Sequence, residues 1–149
     1  MSFRIPFKPH TTAALACALL AAPVAAQTAD EPPFSLELNS AAQTDAGSCR
    51  LTYVAVNGTK TPLGQTDFEV AVFDAEGVVS QFLVLKFGPL VAGKTKVLQF
   101  DFDQTPCDQI SRIVVNNAPA CTLAETGEQS DICLKGLETS SRTAIQFGL

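Results

Sequence analysis

Apolar and polar residues change places one for one through segment after segment of this chain. Phe34, Leu36 and Leu38 alternate with Ser35, Glu37 and Asn39. Beyond Gly47-Ser48, the residues Cys49, Leu51, Tyr53 and Ala55 carry the pattern on. Phe68, Val70 and Val72 alternate with Glu69, Ala71 and Phe73. Lys96, Leu98, Phe100 and Phe102 do so with Val97, Gln99, Asp101 and Asp103. A strand turns successive side chains to opposite faces, so this period predicts strands with one face buried. Val78 to Phe87 is almost wholly apolar, which predicts a strand covered on both faces. Ile110 to Val115 is a short β-branched run, and Thr143, Ile145 and Phe147 form a closing one.

Turn residues separate these runs. Asp74-Ala75-Glu76-Gly77 reads as a four-residue turn with Gly77 supplying the positive φ, and Pro89 and Gly93 bound another loop. Helical spacing is scarce. Its best candidate has Ser130 as N-cap, Asp131 in the first turn and Leu134 and Leu137 three apart, with Gly136 working against it. About seven strands with turn signals roughly every 8–12 residues predict an all-β fold, an antiparallel β-sandwich with Greek-key links.

Residues 1–26 read as an address rather than as part of that fold. Met1 to Pro9 carries Arg4 and Lys8 and no acid; Thr11 to Ala22 is apolar; Val24-Ala25-Ala26 suits signal peptidase. The apolar run is about a dozen residues, short of the about 20 that cross a bilayer. The reading is a signal peptide at 1–26, cleaved after Ala26, an extension at 27–33 and a single domain at 34–149, exported to the periplasm or secreted, with no stable membrane insertion. A retained anchor is one alternative. Lipidation at Cys17 is another, but Ala14-Leu15-Ala16 before it fits such a site only loosely.

Removing the leader takes Arg4 and Lys8 from ten basic residues, leaving eight against fifteen acids, a formal charge of −7. It also removes Cys17 and the only histidine, His10. Tyr53 is then the single tyrosine, and tryptophan is absent. With no imidazole to take a proton, Ser-His-Asp and Cys-His hydrolases are excluded, and so are most transition-metal sites. An acidic balance argues against nucleic acid. Cys49, Cys107, Cys121 and Cys133 remain. They contain no C-x-x-C pair, so an even count in an exported chain reads as two disulfides rather than zinc. Of three connectivities, Cys49–Cys107, linking distant strands, and Cys121–Cys133, closing a local loop, are expected.

Cys49 on the second strand and Cys107 just before the sixth resemble the inter-sheet bridge of immunoglobulin-like domains, over most of Phe34 to Phe147. The pattern departs from antibody domains in having no Trp to pack on the bridge. Phe34-Ser35-Leu36-Glu37-Leu38-Asn39, Ala92-Gly93-Lys94-Thr95-Lys96 and Ser141-Arg142 resemble small exported bacterial proteins of unknown function. Neither resemblance implies an activity.

Gly88-Pro89-Leu90-Val91-Ala92-Gly93-Lys94-Thr95 satisfies the P-loop pattern G-x-x-x-x-G-K-[ST]. That chemistry needs a helix opening at the lysine, to face the phosphate. Lys96 to Asp103 alternates at period two instead, so a loop between antiparallel strands is expected, with no nucleotide bound. Asp101 with Asp103, and Asp67 with Glu69, are two apart and share a strand face, where carboxylates could serve as a glycosidase pair or bind calcium, although no EF-hand spacing is present. Asp108 is near in sequence. These acids are also what the wet face opposite Phe100, Phe102 and Phe68 requires. Asn57-Gly58-Thr59 matches a glycosylation acceptor, or an Asn-Gly turn. No S-x-x-K occurs.

The expectation is therefore no enzyme, no cofactor and no metal: an exported binding module for a protein partner, acting through a sheet edge or loop. The candidate loops are the Asp45-Ala46-Gly47-Ser48 approach within Gln43 to Val56, and the segment Asn117 to Ser141. An acidic inhibitor of a basic secreted enzyme, an envelope or pilus-like subunit pairing by strand exchange, and a hydrolase on Asp101/Asp103 are the alternatives.

Overall fold

The structure is a computed structural model that describes residues 34–149 together with Met1. The leader, its cleavage site, Cys17 and the 27–33 extension lie outside the described residues. Strands follow one another as β1 (Phe34–Gln43), β2 (Cys49–Asn57), β3 (Leu63–Phe73), β4 (Val79–Lys86), β5 (Thr95–Phe102), β6 (Arg112–Leu123), β7 (Leu137–Ser141) and β8 (Gln146–Gly148). A 3-10 turn, Cys107–Gln109, precedes β6.

Two four-stranded sheets form, in the orders β5-β2-β1-β7 and β4-β3-β6-β8. Alternation puts Phe34, Leu36, Leu38, Leu51 and Tyr53 of the first sheet inside. Phe68, Val70, Val72, Leu85 and Ile113 of the second meet them in one core. Each large side chain so buried contributes about 1.5–3 kcal/mol, before the cost of ordering the chain.

The all-β expectation holds, with two corrections. Among the described residues there are eight strands, and their sheets are not purely antiparallel. β7 lies parallel to β1, with Phe34 opposite Leu137, and β8 parallel to β6, with Ile113 opposite Phe147. Period two fixes which way side chains face and says nothing about the direction of a neighbour. β7 also hides itself in sequence. In Leu137-Glu138-Thr139-Ser140-Ser141 only Leu137 is buried.

The helix candidate shrinks to a single turn. The amides of Leu134 and Lys135 donate to Asp131 O, and Ser130 Oγ accepts from the Ile132 amide as a cap would. Leu137 then opens β7 instead of extending a helix. Nor is Asn117 to Ser141 one long loop, because β6 continues to Leu123. Pro119, which has no N–H for a ladder, is tolerated there beside an irregular register: Asp67 faces Ala120 and Glu69 faces Asn117.

Both expected bridges form. Cys121–Cys133 closes a short loop as anticipated. Cys49–Cys107 ties the first residue of β2 to the 3-10 turn rather than to a second strand. The Cys107 amide then donates to Gln43 Oε1, fastening the β5–β6 connection to β1 as well.

Candidate functional site

Val78 to Phe87 departs most from expectation. β4 is not covered on both faces; it is an edge strand pairing only with β3 among the described residues. Leu85 and Phe87 point into the core. Phe82 is 59% exposed, Val84 46% and Val79 41%. The apolar run reflects two different faces, one buried in the core and one bare.

The main chain of this edge can be phased. The Phe87 amide donates to Thr66 O. Bonding in an antiparallel pair alternates, so Gln81, Leu83, Leu85 and Phe87 spend their backbone groups on β3. Phe82, Val84 and Lys86 turn theirs outward, whereas Ser80 is the extra residue where the register slips against Val72 and Phe73, and its Oγ donates to Val72 O. On the outer face Phe82 lies opposite Ala71, and Ala71 opposite Val114, so an apolar stripe crosses three strands. Arg112 closes one end of that face by stacking over the Phe73 ring, 4.1 Å from its centroid.

The other edges are shorter or carry charge, the usual protections against stray pairing. β7 has five residues and β8 three. β5 carries Lys96, whose Nζ donates to Phe87 O at 2.6 Å and Pro89 O at 3.1 Å, and Asp101. Between Val79 and Leu85, β4 has no charge and no proline.

The acids singled out in sequence are engaged elsewhere. Arg50 on β2 donates to both carboxylate oxygens of Asp101 on β5 at 2.7 Å. The guanidinium's hydrogen bonds hold the Asp101 carboxyl below the usual range. Asp103 accepts from Ser48 Oγ, Asp67 from Gln65 Nε2 and Glu69 from Asn116 Nδ2. The described clefts, of about 440, 300 and 230 Å³, contain at most one carboxylate each, Asp108 in the largest and Glu125 in the smallest. Asp101 and Asp103 line none of them. Among the described residues no three His, Cys, Asp or Glu side chains gather as metal ligands.

The P-loop pattern folds as the connection from β4 to β5, which carries the chain from one sheet to the other. Thr95 opens β5 where phosphate binding needs a helix. Asn57 cannot serve as a glycan acceptor in the folded protein. It is fully buried, and its Nδ2 donates to Thr61 O and Leu90 O. The Asp45–Ser48 approach is a closed turn, with the Thr44 amide donating to Ser48 O and the Ser48 amide to Thr44 Oγ1.

No described helix is long and apolar enough to cross a membrane. The two disulfides belong to an oxidising environment. No protein-family model matches the chain, and no curated protein matches it in sequence. Among solved structures the chain is similar to one titled structural characterization of IrmA from Escherichia coli. The TM-score is 0.55 at 10% sequence identity, over 71% of this chain and 89% of that one. At that identity the likeness is one of fold alone.

Proposed function

We propose that this protein is an exported, non-catalytic binding module that takes a protein partner along the β4 edge. The observation that carries the reading is the outward main chain of Phe82 and Val84, flanked by their own exposed side chains. Strand addition at an open edge draws affinity from main-chain hydrogen bonds and selectivity from alternate side chains, and this edge supplies both. Disulfides and the charged apolar leader support export. The two facing sheets and the Cys49–Cys107 bridge support an immunoglobulin-like sandwich whose last two strands run parallel to their neighbours.

Phe82 and Val84 face outward, so replacing both with Lys leaves the core intact. Wild type and this variant, each immobilised, are exposed to envelope extract of the host. A protein retained by the wild type and lost by the variant supports the β4 edge. Identical retention by both overturns it.

A further inference from the structure

We infer that the partner at this edge is a second copy of the same chain, docked by two-fold antiparallel pairing of β4 with β4. The inference deepens the binding-edge reading and rests on it.

Charge placement selects this occupant. The β1–β2, β3–β4 and β5–β6 connections gather at one end of the sandwich and carry Asp45, Asp74, Glu76, Asp103 and Asp108, against Arg112 at the start of β6 and Arg142 before β8. At the other end, on the β4–β5 side, stand Lys86, Lys94 and Lys96. Asp67 on β3 lies directly opposite Lys86, while the acids of the β6–β7 loop, Glu125, Glu128 and Asp131, leave that end from β6, two strands in from β4. β4 therefore runs from an acidic turn to a basic terminus. Two antiparallel copies bring the acidic end of each to the basic end of the other. Parallel pairing would oppose like charges, which is unfavourable.

Phase agrees with charge. The outward groups belong to Phe82, Val84 and Lys86; Ser80 is the extra residue of the bulge opposite Val72 and Phe73. A two-fold axis through Leu83 sets Phe82 against Val84 of the second copy and Ser80 against Lys86 of the second copy. The outward N–H and C=O groups of Phe82 and Val84 then meet outward partners, since alternate residues pair in this way. Lys86 meets a neutral serine beside the turn that holds Asp74 and Glu76. The Phe82–Ala71–Val114 stripes of both copies join into one continuous apolar surface. The joined sheet reads β8-β6-β3-β4 and then the same strands in reverse.

Sedimentation equilibrium of the purified, disulfide-intact protein tests the pairing with nothing else present. The expected result is a reversible dimer, with the Phe82 and Val84 amides gaining hydrogen-exchange protection as concentration rises. Phe82→Lys should weaken dimerisation at least about tenfold, equivalent to about 1.4 kcal/mol, without changing the unfolding midpoint at concentrations where the wild type is monomeric. Lys86→Glu should weaken it, and adding Glu76→Lys should restore it. A monomer up to about 1 mM, the weak limit of specific affinity, overturns the second copy. So does a dimer indifferent to Phe82→Lys. If the purified protein is monomeric and an extract protein is still lost on substituting Phe82 and Val84, the edge reading survives and only the second copy falls.

Discussion

Tyr53 stands edge-on to Phe147 with ring centroids 5.3 Å apart, so the centre of the first sheet touches the last short strand of the second. Phe87 and Phe100 lie against the same ring, at 6.1 and 6.0 Å. The aromatic cluster buries the Tyr53 hydroxyl completely and leaves it without a hydrogen-bond partner. Burial pushes the phenol's pKa upward, so it stays neutral. An unpaired buried hydroxyl is a net cost. Tyr53→Phe is expected to stabilise the domain by about 1 kcal/mol, read as a higher urea midpoint at unchanged slope. A lower midpoint would mean that the hydroxyl is paired.

The two bridges should differ in worth. Cys49–Cys107 spans 58 residues and Cys121–Cys133 spans 12. In the chain-entropy model their loss costs about 4 and about 3 kcal/mol respectively. Paired Cys→Ser variants, compared by denaturant unfolding, should fall in that order. Loss of the longer bridge also frees the turn that holds the Cys107 amide on Gln43.

The lysine of the P-loop-like stretch and the one just after it should behave oppositely. Lys94 is exposed, whereas Lys96 donates to two carbonyls of the β4–β5 connection. Lys94→Ala should move stability by less than about 0.5 kcal/mol. Lys96→Met should cost about 1–2 kcal/mol by leaving the Phe87 and Pro89 carbonyls without that donor. Thermal melts of the two variants decide it. Equal effects would refute the capping role.

Two surface ion pairs set the response to acid. Hydrogen bonds from Arg50 lower the Asp101 pKa, and those from Arg142 and Asn39 lower that of Glu37. A carboxyl whose folded pKa is depressed binds fewer protons folded than unfolded. Its contribution is complete above the unfolded value, about 4, and is lost as pH falls through the folded one. Stability should therefore fall with acidification below that range. Arg50→Gln with Arg142→Gln should flatten the fall, and added salt should shrink the difference, since both pairs are exposed. An acid limb of equal slope in the variant would contradict this.

The sequence displayed some of this plainly and hid the rest for physical reasons. β1, β2 and β5 alternate cleanly because one face is core and the other water. The Asp74–Gly77 turn was legible because the chain reverses at Gly77 with φ 81°, and Asp74 Oδ1 accepts the Glu76 and Val78 amides. The even count of cysteines signalled two disulfides, whereas their pairing was one of three connectivities and is settled by the fold. β7 was hidden because a parallel partner, β1, supplies its ladder while its own side chains stay polar. β4 was visible as a strand and misplaced as an interior one. An all-apolar run records that both faces avoid water, without saying whether the chain itself covers the second. Thus the candidate site was present in the sequence as a burial signal, and the strand order of the fold revealed that the described residues leave that face bare.

The pairing of Phe34 with Leu137 has a kinetic consequence. It joins residues about a hundred positions apart, so the first sheet cannot be completed until nearly the whole polypeptide is available. Long-range contacts of this kind raise contact order and slow folding, because loop closure must precede any reward. A growing chain would hold its β1 flank open to chaperones and proteases until the residues around Leu137 arrive, and shortening the protein past that point would leave a nascent domain unable to shut.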